Sequence, residues 1–61
     1  MFRIKEARQS RGLTQQQLAD KINVTRFYIS AIENNHKTPS FHLLDKIAKA
    51  LQVELIDLLD S

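Results

Sequence analysis

Apolar residues along this chain of 61 residues recur every three to four positions, which is the period of an α-helix and not of a strand. Shorter groups with this spacing lie near positions 18–22, 28–32 and 55–59. In the longest group the apolar side chains all fall on one helix face. That group comprises Leu43, Leu44, Ile47, Ala48 and Leu51. The pattern predicts an all-α domain in which each short helix buries one face.

Capping residues divide this pattern into five helices. Gly12 is placed to end the first helix, because glycine readily adopts the left-handed conformation found after helix ends. Thr14 with Gln17 forms a capping box for the second helix. Thr25 and Ser40 are good N-cap residues for the third and fourth. We therefore predict helices over about 2–11, 14–21, 25–33, 40–51 and 54–60.

The join between the second and third predicted helices has the spacing of a helix-turn-helix. Small Ala19 allows close approach of another helix, and Asn23 suits a turn that needs a left-handed residue. The residues that turn inward or form the corner are Leu18, Ala19, Ile22, Asn23, Val24, Ile29 and Ile32. We expect the two helices to cross at a steep angle.

Several short motifs resemble the Cro/lambda-repressor-type helix-turn-helix domain, also called the xenobiotic-response-element or XRE family. They appear in order between about Ile4 and Leu59. The motifs are Ile4-Lys5-Glu6-Ala7-Arg8, Gly12-Leu13-Thr14-Gln15, Leu18-Ala19, Val24-Thr25, Tyr28-Ile29-Ser30, Ile32-Glu33-Asn34, Pro39-Ser40 and Ile47-Ala48-Lys49-Ala50-Leu51. The resemblance implies one compact five-helix domain over residues 1–61. It also implies binding of double-stranded DNA, with the third helix in the major groove.

Three positions depart from the family pattern. Asn23 and Asn35 stand where glycines are usual, and both tolerate a positive φ, so the backbone is expected to be kept. Ile56 stands where the family usually has a polar residue. That side chain is expected at the surface or at an interface, or else completing the core.

The outward face of the third helix is the predicted base-contacting surface. At about 100° per residue, its members lie opposite the core-facing side: Arg26, Phe27, Ser30, Ala31 and Asn34. Arg26 suits a bidentate contact to guanine, and Phe27 and Ala31 suit thymine methyl groups. The resemblance implies that the positions of Arg26, Phe27 and Ala31 commonly contact bases. The alternatives are a solvated Arg26 and a Phe27 packed on the core or a partner.

Phosphate contacts are expected on both sides of that helix. Gln15 begins the second helix, where backbone N–H groups are free to bind phosphate. The full expected set is Gln15, Thr25, Asn35, Lys37 and Thr38. The alternatives are an ordinary helix residue at Gln15 and a solvated charge at Lys37. The resemblance also implies a structural salt bridge between Arg8 and Glu33.

Charge is distributed unevenly along the chain. Residues 1–37 carry seven basic and three acidic side chains, whereas residues 38–61 carry two basic and four acidic ones, for a net charge of +2. A basic half favours an anionic partner such as nucleic acid, although so small a skew also arises by chance. The outward face has Arg26 and only one acidic neighbour, Glu33, which favours DNA over a protein-interaction or antitoxin-type module with the same fold.

Other classes of protein find little support in the composition. With no cysteine there are no disulfides, no cysteine-based zinc sites and no cysteine nucleophile. The chain contains no run of about 18 apolar residues, so the sequence predicts no membrane-spanning helix. His36, His42 and Asp45 are too few for a metal site, and no nucleotide-binding or nucleophile motif is present. We expect no enzymatic activity, cofactor, metal or small-molecule ligand, and a cytoplasmic, nucleoid-associated protein of prokaryotic or phage type.

A single small domain makes few phosphate contacts, so a symmetric dimer is expected to supply affinity and specificity. The expected interface is formed by Leu55, Ile56 and Leu59. We therefore predict a homodimeric transcriptional regulator, with repression as the default, that binds a near-palindromic operator in double-stranded DNA.

Overall fold

A computed structural model describes residues 2–59 of the chain. Four α-helices and one 3-10 turn make up the regular structure of this part. The elements are α1 (Ile4–Ser10), α2 (Gln15–Ile22), α3 (Arg26–Glu33), α4 (Phe41–Leu51) and the 3-10 turn (Leu55–Leu58). None of these helices is both long and apolar enough to cross a membrane. The expectation of a compact all-α domain is confirmed, and the count of five helices is wrong.

Local capping bonds set where the helices begin. The Thr14 hydroxyl oxygen accepts the Gln17 backbone N–H at 3.0 Å, and the Gln17 side-chain oxygen accepts the Thr14 backbone N–H at 2.8 Å. The Thr25 and Ser40 hydroxyl oxygens each accept a backbone N–H three residues ahead, at 3.1 Å. These three residues are therefore N-caps, and the helices that follow them begin one residue later than predicted.

The predicted fifth helix over about 54–60 is a single 3-10 turn, and residue 60 lies outside the described residues. One turn is enough to bury Leu58 completely in the core. Leu59 then becomes extended and forms an isolated antiparallel bridge with Phe2. The Arg3 backbone N–H also donates to the Leu58 carbonyl at 2.8 Å. This pairing of the two chain ends stops the turn from lengthening, and it explains why α1 begins at Ile4 and not near Phe2.

The core lies where α2, α3 and α4 meet, closed by α1 and the 3-10 turn. Its fully or nearly fully buried apolar side chains are Ile4, Leu18, Ala19, Ile22, Ile29, Ile32, Leu44, Ile47, Ala48, Leu51 and Leu58. Asn23 joins α2 to α3 in the left-handed conformation, with φ 63° and ψ 43°. Asn35 is also left-handed, with φ 62°. Both asparagines therefore hold the backbone conformation that glycine would.

Gln52 ends α4 in the same left-handed conformation, with φ 58° and ψ 43°. A non-glycine residue loses roughly 1–2 kcal/mol in this conformation. Replacing this residue with glycine would relieve that cost. Glycine is more flexible in the unfolded chain, however, and this lowers the free energy of unfolding by roughly 0.5–1 kcal/mol. The Gln52 carbonyl accepts a hydrogen bond from Arg11 Nη2 at 2.8 Å, and a glycine would keep that carbonyl.

We predict that Gln52→Gly raises the free energy of unfolding by about 0.5 kcal/mol, because it relieves the strained φ while keeping the backbone bond. Urea denaturation followed by circular dichroism measures the change. Gln52→Ala is the matched control, since alanine keeps a β-carbon in the left-handed conformation and should give no gain. Equal stabilities of the glycine and alanine variants would contradict the explanation.

Candidate nucleic-acid interface

A buried ion pair joins α1 to the end of α3. Arg8 Nε donates to Glu33 Oε2 at 2.7 Å, and Arg8 Nη2 donates to Glu33 Oε1 at 3.1 Å. The two side chains are only 9% and 2% exposed. Arg8 Nη1 also donates to the Leu13 carbonyl at 2.7 Å. The guanidinium therefore binds both α3 and the segment that leads into α2.

Gln15 extends this network to the first residue of α2. Its Nε2 donates to Glu33 Oε1 at 3.0 Å, so the N-terminal end of α2 lies against the C-terminal end of α3. From the sequence, Gln15 was expected to be a phosphate contact or an ordinary helix residue, and this bond, which joins residues 18 positions apart, was not predicted. A carboxamide nitrogen carries two hydrogens, and the bond to Glu33 uses one of them. The second remains available at the surface.

The side chains on the outward face of α3 differ in their exposure to solvent. Ile29 is 0% exposed and Ile32 is 2% exposed, which anchors the opposite face in the core. Arg26, Phe27 and Asn34 are exposed, whereas Ser30 and Ala31 are half-buried. Asn34 Nδ2 also donates to Ser30 Oγ at 3.3 Å. The exposed side chains of the outward face therefore lie at the two ends of α3, and Arg26 and Phe27 are those at its N-terminal end.

Arg26 and Phe27 lie against each other at that end. The central guanidinium carbon of Arg26 is 4.9 Å from the centroid of the Phe27 ring. Phe27 is 75% exposed, so within this chain it does not pack on the core. Among residues 2–59 the only salt bridges are Arg8–Glu33 and Lys49–Asp45, which leaves the Arg26 charge without an anionic partner in the described chain. The stacking of these two side chains was not predicted from the sequence.

The candidate phosphate contacts lie at both ends of α3. Thr25 caps its N-terminal end. The Thr25 hydroxyl oxygen accepts a hydrogen bond from the Tyr28 backbone N–H, which leaves the hydroxyl hydrogen free to donate. Asn35, Lys37 and Thr38 follow its C-terminal end, are all exposed, and line one concavity together with Phe2. Gln15 lies at that same end through its bond to Glu33. From residue 25 to residue 33 a helix rises about 12 Å.

The remaining predicted residues belong to elements other than α3. Ile56 is 73% exposed and Leu59 is 45% exposed, whereas Leu55 is half-buried and packs against the core. Asp45 Oδ2 is 3.1 Å from Lys49 Nζ one helical turn later. Within residues 2–59 no group of three or more histidine, aspartate or glutamate side chains is arranged to hold a metal ion.

The helix-turn-helix family model matches residues 4–58 of the chain. The chain is 41% identical over 60 residues to the HTH-type transcriptional regulator SinR of Bacillus subtilis, a match that covers 97% of this chain and 54% of SinR. It is 43% identical over 53 residues to the immunity repressor protein of Bacillus phage phi105, covering 87% of this chain and 37% of the repressor. This chain therefore spans about half or less of the length of these two relatives.

A crystal structure of SinR in complex with DNA has the same fold. Its TM-score to this structure is 0.86 at 39% sequence identity, over 95% of this chain and 94% of the SinR chain. The likeness therefore extends over nearly the whole of both chains.

We predict that Glu33→Gln lowers the free energy of unfolding by about 3 kcal/mol, because it leaves the buried Arg8 charge without its carboxylate. Asp45→Asn is the matched control, because it removes a carboxylate from an exposed ion pair. In that pair the Lys49 side chain is 78% exposed and the Asp45 side chain is 44% exposed. This variant should lower the free energy of unfolding by less than about 0.5 kcal/mol.

Urea denaturation measures both variants. All proteins are compared at one fixed sucrose concentration, which favours the folded state and keeps the weaker variant folded at zero urea. A loss in Glu33→Gln as small as that in Asp45→Asn would show that the Arg8–Glu33 pair does not hold α1 and α3 together.

Proposed function

This chain belongs to the helix-turn-helix family, and we propose that it is a sequence-specific transcriptional regulator that binds double-stranded DNA. The observation that carries the proposal is the division of α3 into a face buried in the core and a face that exposes Arg26 and Phe27. Repression is the proposed mode of action, supported by the likeness to a phage immunity repressor and by the simple blocking effect of an occupied promoter. Binding of this kind needs no catalysis, cofactor, metal or small-molecule ligand, and it takes place with the DNA in the cytoplasm.

Shape supports insertion of α3 in the major groove. That groove is about 12 Å wide and admits one α-helix. The outward face would bring Arg26 and Phe27 to the base edges, with Ser30 and Ala31 closer to the helix axis. Arg26 has the fork of donors that fits guanine O6 and N7. Phe27 and Ala31 offer apolar surface to thymine methyl groups.

Phosphate groups on the two sides of the groove would meet the two ends of α3. We assign Thr25 to one side, and Gln15, Asn35, Lys37 and Thr38 to the other. The separation of these ends along α3, about 12 Å, matches the groove width. Lys37 is the one formal charge of this set, so it is expected to dominate the salt dependence of the phosphate contacts.

The protein is proposed to act as a homodimer on DNA. Ile56 and Leu59 are exposed apolar side chains on the 3-10 turn and just after it, and the Leu59 N–H donates to the Ile56 carbonyl at 3.1 Å. We assign these two side chains to a small patch that contacts a second copy. Leu55 contributes mainly to the core and only borders this patch. Two copies related by a two-fold axis would contact half-sites about 34 Å apart in a near-palindromic operator.

We predict that selection from random duplex DNA at near-physiological salt enriches a near-palindrome with half-sites about 10–11 base pairs apart, because a two-fold dimer presents α3 twice at one helical turn. Sequencing of the retained DNA gives the operator directly. Enrichment of a single unrepeated half-site would contradict the dimer. No retained DNA, even at low salt, would contradict DNA binding and favour a protein-interaction module.

We predict that Arg26→Ala and Lys37→Ala weaken operator binding in different ways. Arg26→Ala should cost about 1–3 kcal/mol of binding free energy and relax the preference at one guanine, because a bidentate base contact is lost. Lys37→Ala should weaken binding to all sequences alike and lower the salt slope by about one, because a phosphate contact is lost. Fluorescence anisotropy on the operator and on single-base variants, at several salt concentrations, separates the two. Identical behaviour of the two variants would contradict this division of roles.

A further inference from the structure

We propose that Arg26 and Phe27 act as one unit that recognises a guanine next to a pyrimidine bearing a 5-methyl group, either thymine or 5-methylcytosine. The inference rests on the proposed DNA binding and goes beyond it. It makes this protein sensitive to cytosine methylation at one position of each half-site.

The spacing of the two side chains fits neighbouring base pairs. The guanidinium carbon of Arg26 lies 4.9 Å from the centroid of the Phe27 ring. Successive bases along one strand are about 3.4 Å apart. A separation of 4.9 Å corresponds to this rise combined with a sideways offset of about 3.5 Å, and such an arrangement would place the guanidinium in the plane of one base pair and the ring at the level of the next. A guanine bound by Arg26 would therefore have the base that Phe27 meets as its direct neighbour.

The chemistry of Phe27 limits what it can distinguish. Thymine presents a carbonyl and a methyl group in the major groove, whereas cytosine presents an amino group and no methyl group. A phenyl ring has no conventional hydrogen-bond donor or acceptor with which to tell the carbonyl from the amino group. The 5-methyl group is therefore the feature that the ring detects. Methylation of cytosine at carbon 5 supplies that same group.

Exposure explains why this contact matters for affinity. Phe27 is 75% exposed, so most of its ring is in water in the free protein. Contact with a methyl group would remove apolar surface of both partners from water. Each buried methyl group is expected to change affinity about fourfold.

The ring also positions the arginine. Arg26 is an exposed side chain without a salt-bridge partner among residues 2–59, and a free arginine loses rotamer freedom when it binds a base. The guanidinium carbon lies over the Phe27 ring in the free protein, and we expect this cation–π contact to restrict the guanidinium before DNA arrives. Phe27 is therefore a positioning residue for guanine recognition as well as the residue that contacts the methyl group.

The test uses the selected operator and begins from the guanine whose preference is relaxed in Arg26→Ala. Four duplexes are compared, which carry thymine, deoxyuridine, cytosine or 5-methylcytosine at the pyrimidine position next to this guanine in both half-sites. Deoxyuridine removes only the methyl group, so it should weaken binding about fourfold per half-site, or about sixteenfold for the symmetric operator. 5-Methylcytosine should bind more tightly than cytosine by a similar factor.

Two phenylalanine variants show whether Phe27 is responsible. Phe27→Ala should abolish both methyl-dependent differences and also weaken discrimination at the guanine, because Arg26 loses its stacking partner. Phe41→Ala is the matched control, because Phe41 is a second exposed phenylalanine, 71% exposed, on a different helix. It should leave the ratio of thymine to deoxyuridine affinity unchanged.

A third variant separates positioning from contact. Phe27→Leu keeps an apolar side chain for the methyl group but removes the flat ring. It should retain part of the thymine preference and lose guanine discrimination to the extent that Phe27→Ala does. Full guanine discrimination in both variants would overturn the positioning role.

The failures of the two proposals are distinguishable. Absence of binding to any duplex overturns DNA binding and, with it, this inference. Tight operator binding with equal affinities for thymine and deoxyuridine overturns this inference alone. A thymine preference that survives in Phe27→Ala would assign the methyl contact to another residue and would also overturn it.

Discussion

The buried Arg8–Glu33 pair is the constraint on which the placement of α3 depends. Glu33 is the last residue of α3, and Arg8 reaches it from α1 while also binding the Leu13 carbonyl. Gln15 adds a third element to the same carboxylate. A buried ion pair often contributes little net stability compared with apolar packing, because both charges lose water. Its main effect here is geometric, since Glu33 has the hydrogen-bond partners it needs only when α1, α2 and α3 are correctly placed.

With one end of α3 fixed in this way, the core determines which side faces out. Ile29 and Ile32 are almost fully buried and prevent α3 from rotating about its axis. Phe27 is consequently held in water, although a small domain would gain from burying it. Together with the adjacent Arg26 guanidinium, the exposed Phe27 ring gives this end of α3 both positive charge and apolar surface. The same packing that stabilises the fold therefore creates the surface proposed to meet DNA.

The sequence predicted best those features that depend on a few neighbouring residues. The N-caps Thr14, Thr25 and Ser40 located three helix starts, since a cap and the N–H it accepts are three residues apart. The predicted fifth helix stops early because Leu59 is extended and pairs with Phe2. These two residues are far apart in the sequence, so no local pattern predicts their contact.

The candidate site shows the same limit. Periodicity predicted that Arg26 and Phe27 share the outward face, because that depends only on the turn of one helix. It did not predict that they stack, which depends on side-chain rotamers. The link between Gln15 and Glu33 spans two helices, so it too required the packed structure. Residue types and faces were therefore predictable from the sequence, whereas the contacts between side chains were not.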